Sequence, residues 1–566
     1  MTTRRLRPAK LGAAGTSTGG TSAIVETDPN EVREATREET FPIALAAVLL
    51  AFLALIISYS RGYLLLYGDA VAHLGIARRI LDSRNPGLVQ FGGVWLPLPH
   101  LLMLPFVQKM EWWQNGLAGA FPSLICYIAS VAGLYRLARW MMTPRWAIAA
   151  TAFYAFNPNL LYLATTAMNE ALFLAIFIWT ILLTVECVAG IQASRPTVVA
   201  RRLLLLGLFI LAAVFTRYDG WILGAAVWCV LTMTLARHRD VWRGVAPFFV
   251  VFTLLAVAGP ISWLAFNEHF FHDPLDFLRG PYSAAAIDRK TSLPGAAHYH
   301  GWHNPAWALL LYIRTAQIDV AVWETGFLVM ASALAGLVLA IRRKLALPAL
   351  LLWLPLPFYV YSISYGSVPI FIPPLWPHSY YNSRYGMEML PALVVFSVLI
   401  MDWAQIRWSK SRPLTARFFQ PVALLLIAVN AVCMMRHLPV VLKEAVVNST
   451  TRVAFETALA RELKDLPTGV PILMYNSDHV GALQDAGQPL RQTVNEGDYD
   501  SWKAALAAPA EHAAYVVAIA GDQVSSAVAV HPEGLTELSI LCTTGQPCAR
   551  IYRSDRFVPS LATPRP

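Results

Sequence analysis

The sequence predicts an all-α polytopic membrane protein with about eleven transmembrane helices and a small α/β domain at its C-terminus. Hydrophobic residues make up 56% of the 566 residues, the mean hydropathy is +0.49, and charged residues make up only 14%. The apolar fraction of a soluble domain is roughly 45–50%. The apolar residues of this chain also form long blocks, and one helix across a bilayer needs about 20 of them.

Short basic loops between the apolar blocks set the direction in which the chain crosses the membrane. Although the formal net charge is +9, the basic residues are divided among these loops, which indicates membrane topology and not a nucleic-acid surface. Placing the basic loops in the cytoplasm puts the N-terminus inside and the C-terminus outside, with the first span as an uncleaved signal anchor. The predicted spans are 43–60, 115–135, 146–163, 171–189, 203–216, 221–236, 245–266, 318–341, 346–364, 386–402 and 418–436.

One further apolar segment, Val94–Val107, is predicted to lie at the membrane surface or to re-enter it. Pro97, Pro99 and Pro105 interrupt this segment, and proline inside a helix removes a backbone hydrogen bond. If the segment crossed the membrane, every later loop would change sides. The basic loops would then lie outside, which the charge rule disfavours.

The chain divides into three parts. Residues 1–40 are rich in Gly, Thr, Ala and charged residues and lack an apolar run, which predicts a disordered cytoplasmic tail. Residues 41–438 form the predicted membrane domain, with long outer loops at 61–116 and 267–317. Residues 439–566 alternate short apolar runs with helical stretches, which predicts an α/β domain outside the membrane.

Two of the six cysteines, Cys542 and Cys548, lie close together in the polar C-terminal part. A disulfide between them requires an oxidising compartment, which agrees with an outer domain. The other four cysteines lie in apolar segments and are expected to be small core residues.

The first outer loop contains the sequence GDAVAHLGIARR, in which Asp69 is followed four residues later by His73. On a helix these two side chains share a face. A carboxylate beside a cavity at the membrane surface can act as a general base toward a hydroxyl group. The alternative is that Asp69 caps an interfacial helix, and the two roles are compatible.

Two tight outer turns also carry ionisable residues. Glu170 opens the fourth span, where an acid is also favoured by the helix dipole alone. Arg217 and Asp219 lie in the turn between the fifth and sixth spans, and ionisable groups at this depth are usually functional or paired with each other. Arg217 is therefore a candidate for binding phosphate, and Asp219 for orienting it or binding sugar hydroxyls, with a local Arg–Asp pair as the alternative.

Arg384 and Tyr385 lie where the last long outer loop enters the tenth span. The planar fork of an arginine suits a phosphate or pyrophosphate. An aromatic belt with a snorkelling arginine is the alternative. That alternative explains Tyr380 and Tyr381 better than it explains Arg384, because cations are normally kept away from the outer face.

A histidine cluster, His298, His300 and His303, with His269, His272 and Asp273 upstream, is a possible metal site. Residues two apart point to opposite sides of a strand, and Pro and Gly surround this cluster. A metal-free interfacial loop is therefore expected. No Walker loop, GxGxxG, HExxH or GxSxG motif occurs in a fitting context.

These features resemble the GT-C superfamily of membrane glycosyltransferases, which includes protein O-mannosyltransferases (glycosyltransferase family 39), aminoarabinose transferases and oligosaccharyltransferase catalytic subunits. The resemblance covers residues 40–440 and rests on the Asp after the first span, the amphipathic first loop, the number of spans and the outer C-terminal domain. Many members have Asp-Glu in the first loop, whereas here Ala70 follows Asp69. The Trp-Trp-Asp motif of oligosaccharyltransferases is absent, which argues against transfer of a whole glycan to asparagine.

The resemblance implies a polyprenyl-phosphate sugar as donor, a glycan, lipid or protein as acceptor, and single displacement with inversion. Asp69 would be the general base, and Arg217 and Arg384 would bind the donor phosphate and stabilise the charge that gathers there. No metal is assigned, and a divalent ion stays open as a cofactor. The supporting residues would be His73, Glu170, Asp219 and Tyr385.

The main alternative is a polytopic transporter or lipid flippase, which would also place arginines and carboxylates near the membrane surface. That class predicts charged residues at span centres, and these are nearly absent apart from cases such as Glu186. A scaffold merely anchored by its spans is a third alternative, but it needs far fewer crossings. The basic tail, compact loops and lack of organelle signals indicate a bacterial inner membrane.

Overall fold

The computed structural model describes residues 29–291, 298–322 and 324–558. Residues 1–28, most of the predicted tail, lie outside the described part. The first helix begins at Pro29, so residues 29–40 are helical. The helices of the membrane part are α1 Pro29–Ser60, α2 Gly68–Arg79, α3 Leu98–Val107, α4 Met110–Asn115, α5 Leu117–Arg139, α6 Pro144–Ala155, α7 Pro158–Leu163, α8 Glu170–Gln192, α9 Pro196–Val214, α10 Asp219–Arg237, α11 Arg239–Phe271, α12 Asp276–Arg279, α13 Ala284–Thr291, α14 Pro305–Val320, α15 Thr325–Arg342, α16 Ala346–Leu352, α17 Pro355–Tyr365, α18 Leu390–Ser409, α19 Pro413–Ala416 and α20 Phe419–Arg436.

Ten helical segments in the described residues are long and apolar enough to cross a membrane. The prediction of one continuous span over 146–163 is wrong, because α6 ends at Ala155 and α7 begins at Pro158. Pro158 has no backbone N–H to continue the α6 ladder. The side chain of Asn157 instead caps α7 by accepting hydrogen bonds from two of its first backbone N–H groups.

Helix α3 contains ten residues of the segment predicted to be interfacial or re-entrant. At 1.5 Å per residue it is about 15 Å long, roughly half the thickness of the hydrocarbon core. Its length therefore agrees with a segment that does not cross the membrane on its own.

Helices α8 and α18 lie at the centre of the bundle, whereas α1 lies at its edge. Within the most apolar window of each span, 72% of residues are buried in α8 and 67% in the span that contains α18, compared with 17% in α1. Small residues allow close packing at the centre. A Cβ atom on Gly336 of α15 would lie 1.9 Å from the carbonyl oxygen of Phe396 in α18, which is closer than a Cβ atom can approach. Small residues at such positions are typical of helix contacts in membranes.

The C-terminal part folds as a five-stranded mixed sheet with helices, as predicted. Its strand order is β2-β1-β3-β5-β4, with β1, β2 and β3 parallel and β5 antiparallel to both of its neighbours. Cys542 and Cys548 form the predicted disulfide, which joins the two strands of the β4–β5 hairpin. The elements are α21 Val440–Lys464, β1 Ile472–Met474, α22 Val480–Ala486, β2 Thr493–Val494, α23 Asp500–Ala507, α24 Pro509–His512, β3 Tyr515–Ile519, α25 Gln523–Val530, β4 Leu535–Leu541 and β5 Ala549–Ser554.

Helix α21 joins the α/β domain to the membrane domain and contacts the segment that precedes α2. The Tyr67 hydroxyl donates to the carbonyl of Val441 at 2.9 Å. Farther along α21, Arg452 Nη2 donates to the carbonyls of Leu65 and Leu66, each at 3.0 Å. The start of α2, which carries Asp69, is therefore held against the C-terminal domain.

Candidate functional site

Four segments place their polar ends together on the side of the bundle that carries the α/β domain. Asp69 lies in the first turn of α2, Glu170 is the first residue of α8, and Asp219 is the first residue of α10. Arg384 lies in the 3₁₀ segment Ser383–Met389 that leads into α18. The unpaired backbone N–H groups at helix N-termini favour carboxylates, so the acids are well placed here.

Arg384 lies at the centre of this cluster and contacts three carboxylates. Its Nη2 lies 2.5 Å from Oδ2 of Asp69, and its Nε lies 3.0 Å from Oε1 of Glu170. Its Nη1 lies 3.6 Å from Oε1 of Glu444, a residue of α21. Arg384 is buried, so these contacts act in a medium that screens charge poorly.

Arg217 forms a second centre beside the first. Its nitrogens lie 2.9 Å from Glu388, 3.2 Å from Asp219 and 3.9 Å from Glu170, so Glu170 stands between the two arginines. Its Nη2 also donates to the Tyr359 hydroxyl at 2.5 Å. The predicted local Arg217–Asp219 pair is therefore present, but it belongs to a larger network.

The ring of Tyr385 lies between the two guanidinium groups. Its centroid is 5.3 Å from the Arg217 guanidinium carbon and 4.9 Å from that of Arg384. Tyr67 lies 5.2 Å from Arg384 in the same way. These cation–π contacts stabilise two like charges that are held close together in the interior.

Asp69 differs from the other carboxylates of the cluster in its exposure. Its side chain is 43% exposed, whereas those of Glu170 and Glu388 are each 1% exposed and that of Asp219 is 6% exposed. One oxygen of Asp69 contacts Arg384. Asp69 is thus the carboxylate of this cluster that a molecule from outside can reach.

His73 lies deeper in the first loop and faces a second histidine. Its Nδ1 is 2.8 Å from Nε2 of His100, and its ring stacks on Trp95 with centroids 4.3 Å apart. Burial lowers the pKa of His73 to about 4, and the nearby Asp69 only partly offsets this. His73 is therefore a neutral residue near pH 7 that packs α2 against α3.

No family model and no curated protein matches the chain. Its structure is similar to the crystal structure of ArnT from Cupriavidus metallidurans bound to undecaprenyl phosphate, with a TM-score of 0.52, 16% identity and coverage of 92% of this chain and 99% of ArnT. An oligosaccharyltransferase of Archaeoglobus fulgidus in complex with Zn and sulfate has a TM-score of 0.42 and 12% identity over 90% of this chain and 73% of that one. The chain has the GT-C fold.

Sequence reasoning missed three residues of the site in this GT-C fold. Glu388 follows Arg384 by four residues, a spacing that places two side chains on one helix face, so this signal was available. Tyr359 donates to Glu388 at 2.7 Å and was indistinguishable from other aromatic residues of its span. Glu444 lies in a polar helix where an acid is ordinary, and its sequence context gave no signal.

The described part of the GT-C fold contains no group of three or more His, Cys, Asp or Glu side chains arranged to hold a metal ion. The histidines of the 298–303 loop stack on aromatic residues instead. His298 lies 4.4 Å from the Trp302 ring, and His300 lies 5.0 Å from that of Trp376. The described histidines of this loop therefore contact aromatic rings, and the interfacial position of the loop stays a prediction.

Proposed function

We propose that the chain is a membrane glycosyltransferase that moves a sugar from a polyprenyl-phosphate donor to an acceptor hydroxyl, with inversion and with Asp69 as general base. The observation that carries this proposal is the half-exposed carboxylate of Asp69 at the edge of an otherwise buried ionic cluster. A general base must be able to reach the proton that it removes. The similarity in fold to ArnT, whose structure contains undecaprenyl phosphate, supports the class of donor.

In the proposed reaction, Asp69 accepts the proton as the O–H bond of the acceptor breaks. The acceptor oxygen forms a bond to C1 of the sugar on the face opposite the phosphate. The bond from C1 to the phosphate oxygen breaks, and its electron pair stays on the polyprenyl phosphate. Cations that are already in place lower the barrier most where this charge gathers.

Arg217 and Arg384 are the proposed ligands of the donor phosphate. Both guanidiniums already contact carboxylates, so the phosphate must displace one of these carboxylates. Asp69 is the partner that can leave, because it is half exposed whereas Glu170 is buried. Binding of the donor at Arg384 would therefore release Asp69 to act on the acceptor.

We place this reaction on the extracytoplasmic face of a bacterial inner membrane. The distribution of basic loops supports an N-terminus in the cytoplasm and an α/β domain outside. A disulfide such as Cys542–Cys548 persists in an oxidising compartment. A lipid-linked donor is chemically sensible there, because its apolar tail is held by the bilayer.

The decisive experiment compares wild type with Asp69→Asn in nanodiscs, using radiolabelled polyprenyl-phosphate sugars and membrane extract as acceptor. We expect turnover by wild type and a fall of about 10²–10⁴-fold in Asp69→Asn. Glu111→Gln is the matched control, because Glu111 is a largely exposed acid just ahead of α5. Equal turnover by wild type and Asp69→Asn would exclude Asp69 as the base.

Two further arms of this assay test the class and the cofactor. If no donor is turned over while a lipid or solute crosses the bilayer, the transporter alternative replaces the transferase. Loss of turnover in EDTA with recovery in Mg²⁺ or Mn²⁺ would assign a divalent ion to the reaction. Unchanged turnover in EDTA would leave the catalysis to the side chains alone.

A further inference from the structure

A cavity of about 220 Å³ lies where the α/β domain meets the first outer loop. Its walls come from the chain that joins α1 to α2, from the first turn of α2, and from helices α4, α21 and α22. One water molecule takes about 30 Å³ in the liquid, so the cavity has room for a small organic group. One lining residue, Val453, is 37% exposed, so a ligand can enter from the aqueous side.

This cavity is separate from the ionic cluster, although both adjoin the start of α2. Val71 lines the cavity, whereas Asp69 contacts Arg384. Each residue turns a helix by about 100°, so side chains two positions apart point in nearly opposite directions. Within the described part of the chain, the lining residues include neither Arg217 nor Arg384. A ligand in the cavity therefore does not occupy the proposed donor site.

Helices α21 and α22 each turn one face toward the cavity. Both place lining residues at positions i, i+3 and i+4, which share a face of a helix. These residues are Val453, Glu456 and Thr457 on α21 and Gly481, Gln484 and Asp485 on α22. A Cβ atom on Gly481 would overlap the carboxylate of Glu456, so glycine gives this carboxylate its space. The two helices thus build a wall in which polar side chains have fixed positions.

The one arginine of the wall, Arg452, is already engaged by protein groups. Its Nη1 contacts the carboxylate of Glu456. Its Nη2 donates to the carbonyls of Leu65 and Leu66, each at 3.0 Å. An anionic ligand would have to displace these contacts in order to reach the terminal nitrogens. The arginine therefore supports the wall and does not make the cavity an anion site.

The polar groups that remain for a ligand are mainly oxygen acceptors. Gln484 Nε2 donates to the carbonyl of Trp113, and Gln114 Nε2 donates to the carbonyl of Asp485 at 3.3 Å. Both amides thus direct a donor at the backbone. Among the described residues, no group donates to Oε1 of either glutamine or to the carboxylate of Asp485.

Glu456 has a similar unfilled acceptor. Its Oε2 contacts Arg452, whereas its Oε1 lies 3.9 Å from Nδ1 of His479, which is beyond hydrogen-bond distance. Glu456 is 6% exposed and Gln484 is 1% exposed. Acceptors at such burial are stabilised when a water molecule or a ligand donates to them. The cavity therefore suits a ligand that brings several hydrogen-bond donors.

The rest of the lining defines the charge and the shape that the ligand needs. Leu65, Leu66 and Val71 supply apolar surface. Two carboxylates and one guanidinium line the cavity, and together they leave one negative charge. These three groups belong to Glu456, Asp485 and Arg452. A neutral or cationic ligand is therefore favoured over an anion.

We propose that this cavity binds a sugar ring that is neutral or carries an amine. A pyranose has hydroxyl donors around its edge, which match the unfilled oxygens, and C–H groups on its faces, which match the apolar side chains. An amine on the ring would form a charge-assisted contact with Asp485. Binding here goes beyond the proposed transfer and does not require it, so a failure of the transferase proposal leaves this site standing.

The experiment measures binding of three monosaccharides to the full chain in nanodiscs by ligand-detected NMR. Glucose, glucosamine and glucuronate share a ring and differ in charge. Thr457→Phe fills the cavity, and Asp485→Asn removes a charge while keeping the shape. Asp465→Asn is the matched control, because Asp465 is an exposed acid at the end of α21 that does not line the cavity. Asp69→Asn tests for binding at the ionic cluster, and the thermal midpoint shows whether each variant is folded.

We expect wild type to bind glucose and glucosamine at least about threefold more tightly than glucuronate, because the lining is negative. Binding of both should be at least about tenfold weaker in Thr457→Phe, because the phenyl ring takes the place of the sugar. Asp485→Asn should weaken glucosamine binding severalfold and glucose binding less. Asp465→Asn and Asp69→Asn should bind like wild type.

The proposal is overturned if wild type binds neither glucose nor glucosamine, if glucuronate binds most tightly, or if Asp69→Asn abolishes binding. It is also overturned if folded Thr457→Phe binds like wild type, or if Asp465→Asn loses as much binding as Asp485→Asn. Should Thr457→Phe fail to fold, the comparison of Asp485→Asn with Asp465→Asn decides.

Discussion

Helix α8 carries a largely buried glutamate near each end, and the surroundings of these two glutamates differ. Glu170 and Glu186 lie sixteen residues apart, which is about 24 Å along a helix. Each contacts two arginines. The same pairing of residue types therefore occurs twice on one helix, and only its surroundings differ.

At the Glu186 end, both arginines come from helices that pack directly against α8. Arg136 of α5 lies 3.2 Å from Glu186, and Arg202 of α9 lies 2.5 Å from it. All three side chains are largely buried. These contacts join helices that are close in sequence and packed side by side. They are therefore suited to fixing the packing of the helices.

At the Glu170 end, acids outnumber bases, and the residues come from distant parts of the chain. An excess of carboxylates in the interior lowers stability, and such costly groups usually mark a functional site. One carboxylate of this cluster, that of Asp69, is also half exposed. This contrast supports a structural role at one end and a functional role at the other. The cluster consists of Asp69, Glu170, Asp219, Glu388, Glu444, Arg217 and Arg384.

The largest expected effect comes from changing the two glutamates of α8 in parallel. Removing one partner of a buried ion pair costs about 3–5 kcal/mol, so Glu170→Gln and Glu186→Gln should both lower the thermal midpoint. Only Glu170→Gln should also lower turnover, by about 100-fold or more, because both arginines lose their shared carboxylate. Turnover of the donor and thermal unfolding in the same nanodiscs measure the two effects.

A loss of turnover in Glu186→Gln as large as in Glu170→Gln would contradict the division between the two ends. Turnover is normalised to folded protein, determined by size-exclusion chromatography. A general loss of fold is thereby separated from a loss of the site.

The next effect is expected from replacing an arginine at each end by lysine. Arg384 contacts three carboxylates through three different nitrogens, and the single ammonium of lysine cannot reproduce that fork. We expect Arg384→Lys to lower kcat about 10–100-fold. Arg136→Lys should leave kcat within about twofold, because a lysine keeps the charge beside Glu186. Similar kcat values for the two variants would show that only charge matters at Arg384.

The membrane class and the C-terminal sheet were predictable, because they depend on local apolar runs. Asp69, Glu170 and Arg384 were predictable for a related reason. Each is an ionisable residue beside an apolar span, where its cost makes it conspicuous. The break between α6 and α7 was missed because the apolar run continues across it, although Asn157-Pro158 is a common helix start.

The way in which the arginines are paired was not predictable from the sequence. Arg384 contacts Asp69 and Glu444, which lie 315 and 60 residues away in the chain. No periodicity links such distant residues, and only packing of α2 and α21 against the start of α18 brings them together. The sequence therefore identifies candidate residues, while the structure identifies their partners.

Glu444 offers a sharper test of whether the α/β domain contributes to the site. Its oxygens accept from the backbone N–H groups of Asn382 and Ser383 at 3.0 and 2.7 Å, just ahead of Arg384. Glu444→Gln replaces one accepting oxygen by a donor that faces an N–H group. We expect kcat to fall about tenfold with an unchanged KM for the donor, because the contact positions Arg384. A changed KM with an unchanged kcat would instead place Glu444 in binding.

The smallest expected effect is on stability, and it comes from the buried pair of His73 and His100 and not from the acidic cluster. Burial lowers the pKa of His73 to about 4 and also lowers that of His100, whereas histidine in an unfolded chain has a pKa of about 6.5. Between these values the unfolded state binds more protons than the folded state. Stability is therefore complete above pH 6.5 and falls as the pH drops toward 4. For His73 alone the loss is at most about 3 kcal/mol.

In the variant His73→Gln, the thermal midpoint should fall less as the pH drops from 6.5 toward 4, and it should be only slightly lower than that of wild type at pH 7.5. Asp498 works in the opposite direction, because burial raises its pKa to about 6, so its protonation stabilises the folded state as the pH falls. In Asp498→Asn, the thermal midpoint should therefore fall more steeply than in wild type as the pH drops. If His73→Gln keeps the wild-type pH profile, the buried histidine pair does not limit acid stability, and titration of the carboxylates in the cluster becomes the cause to test.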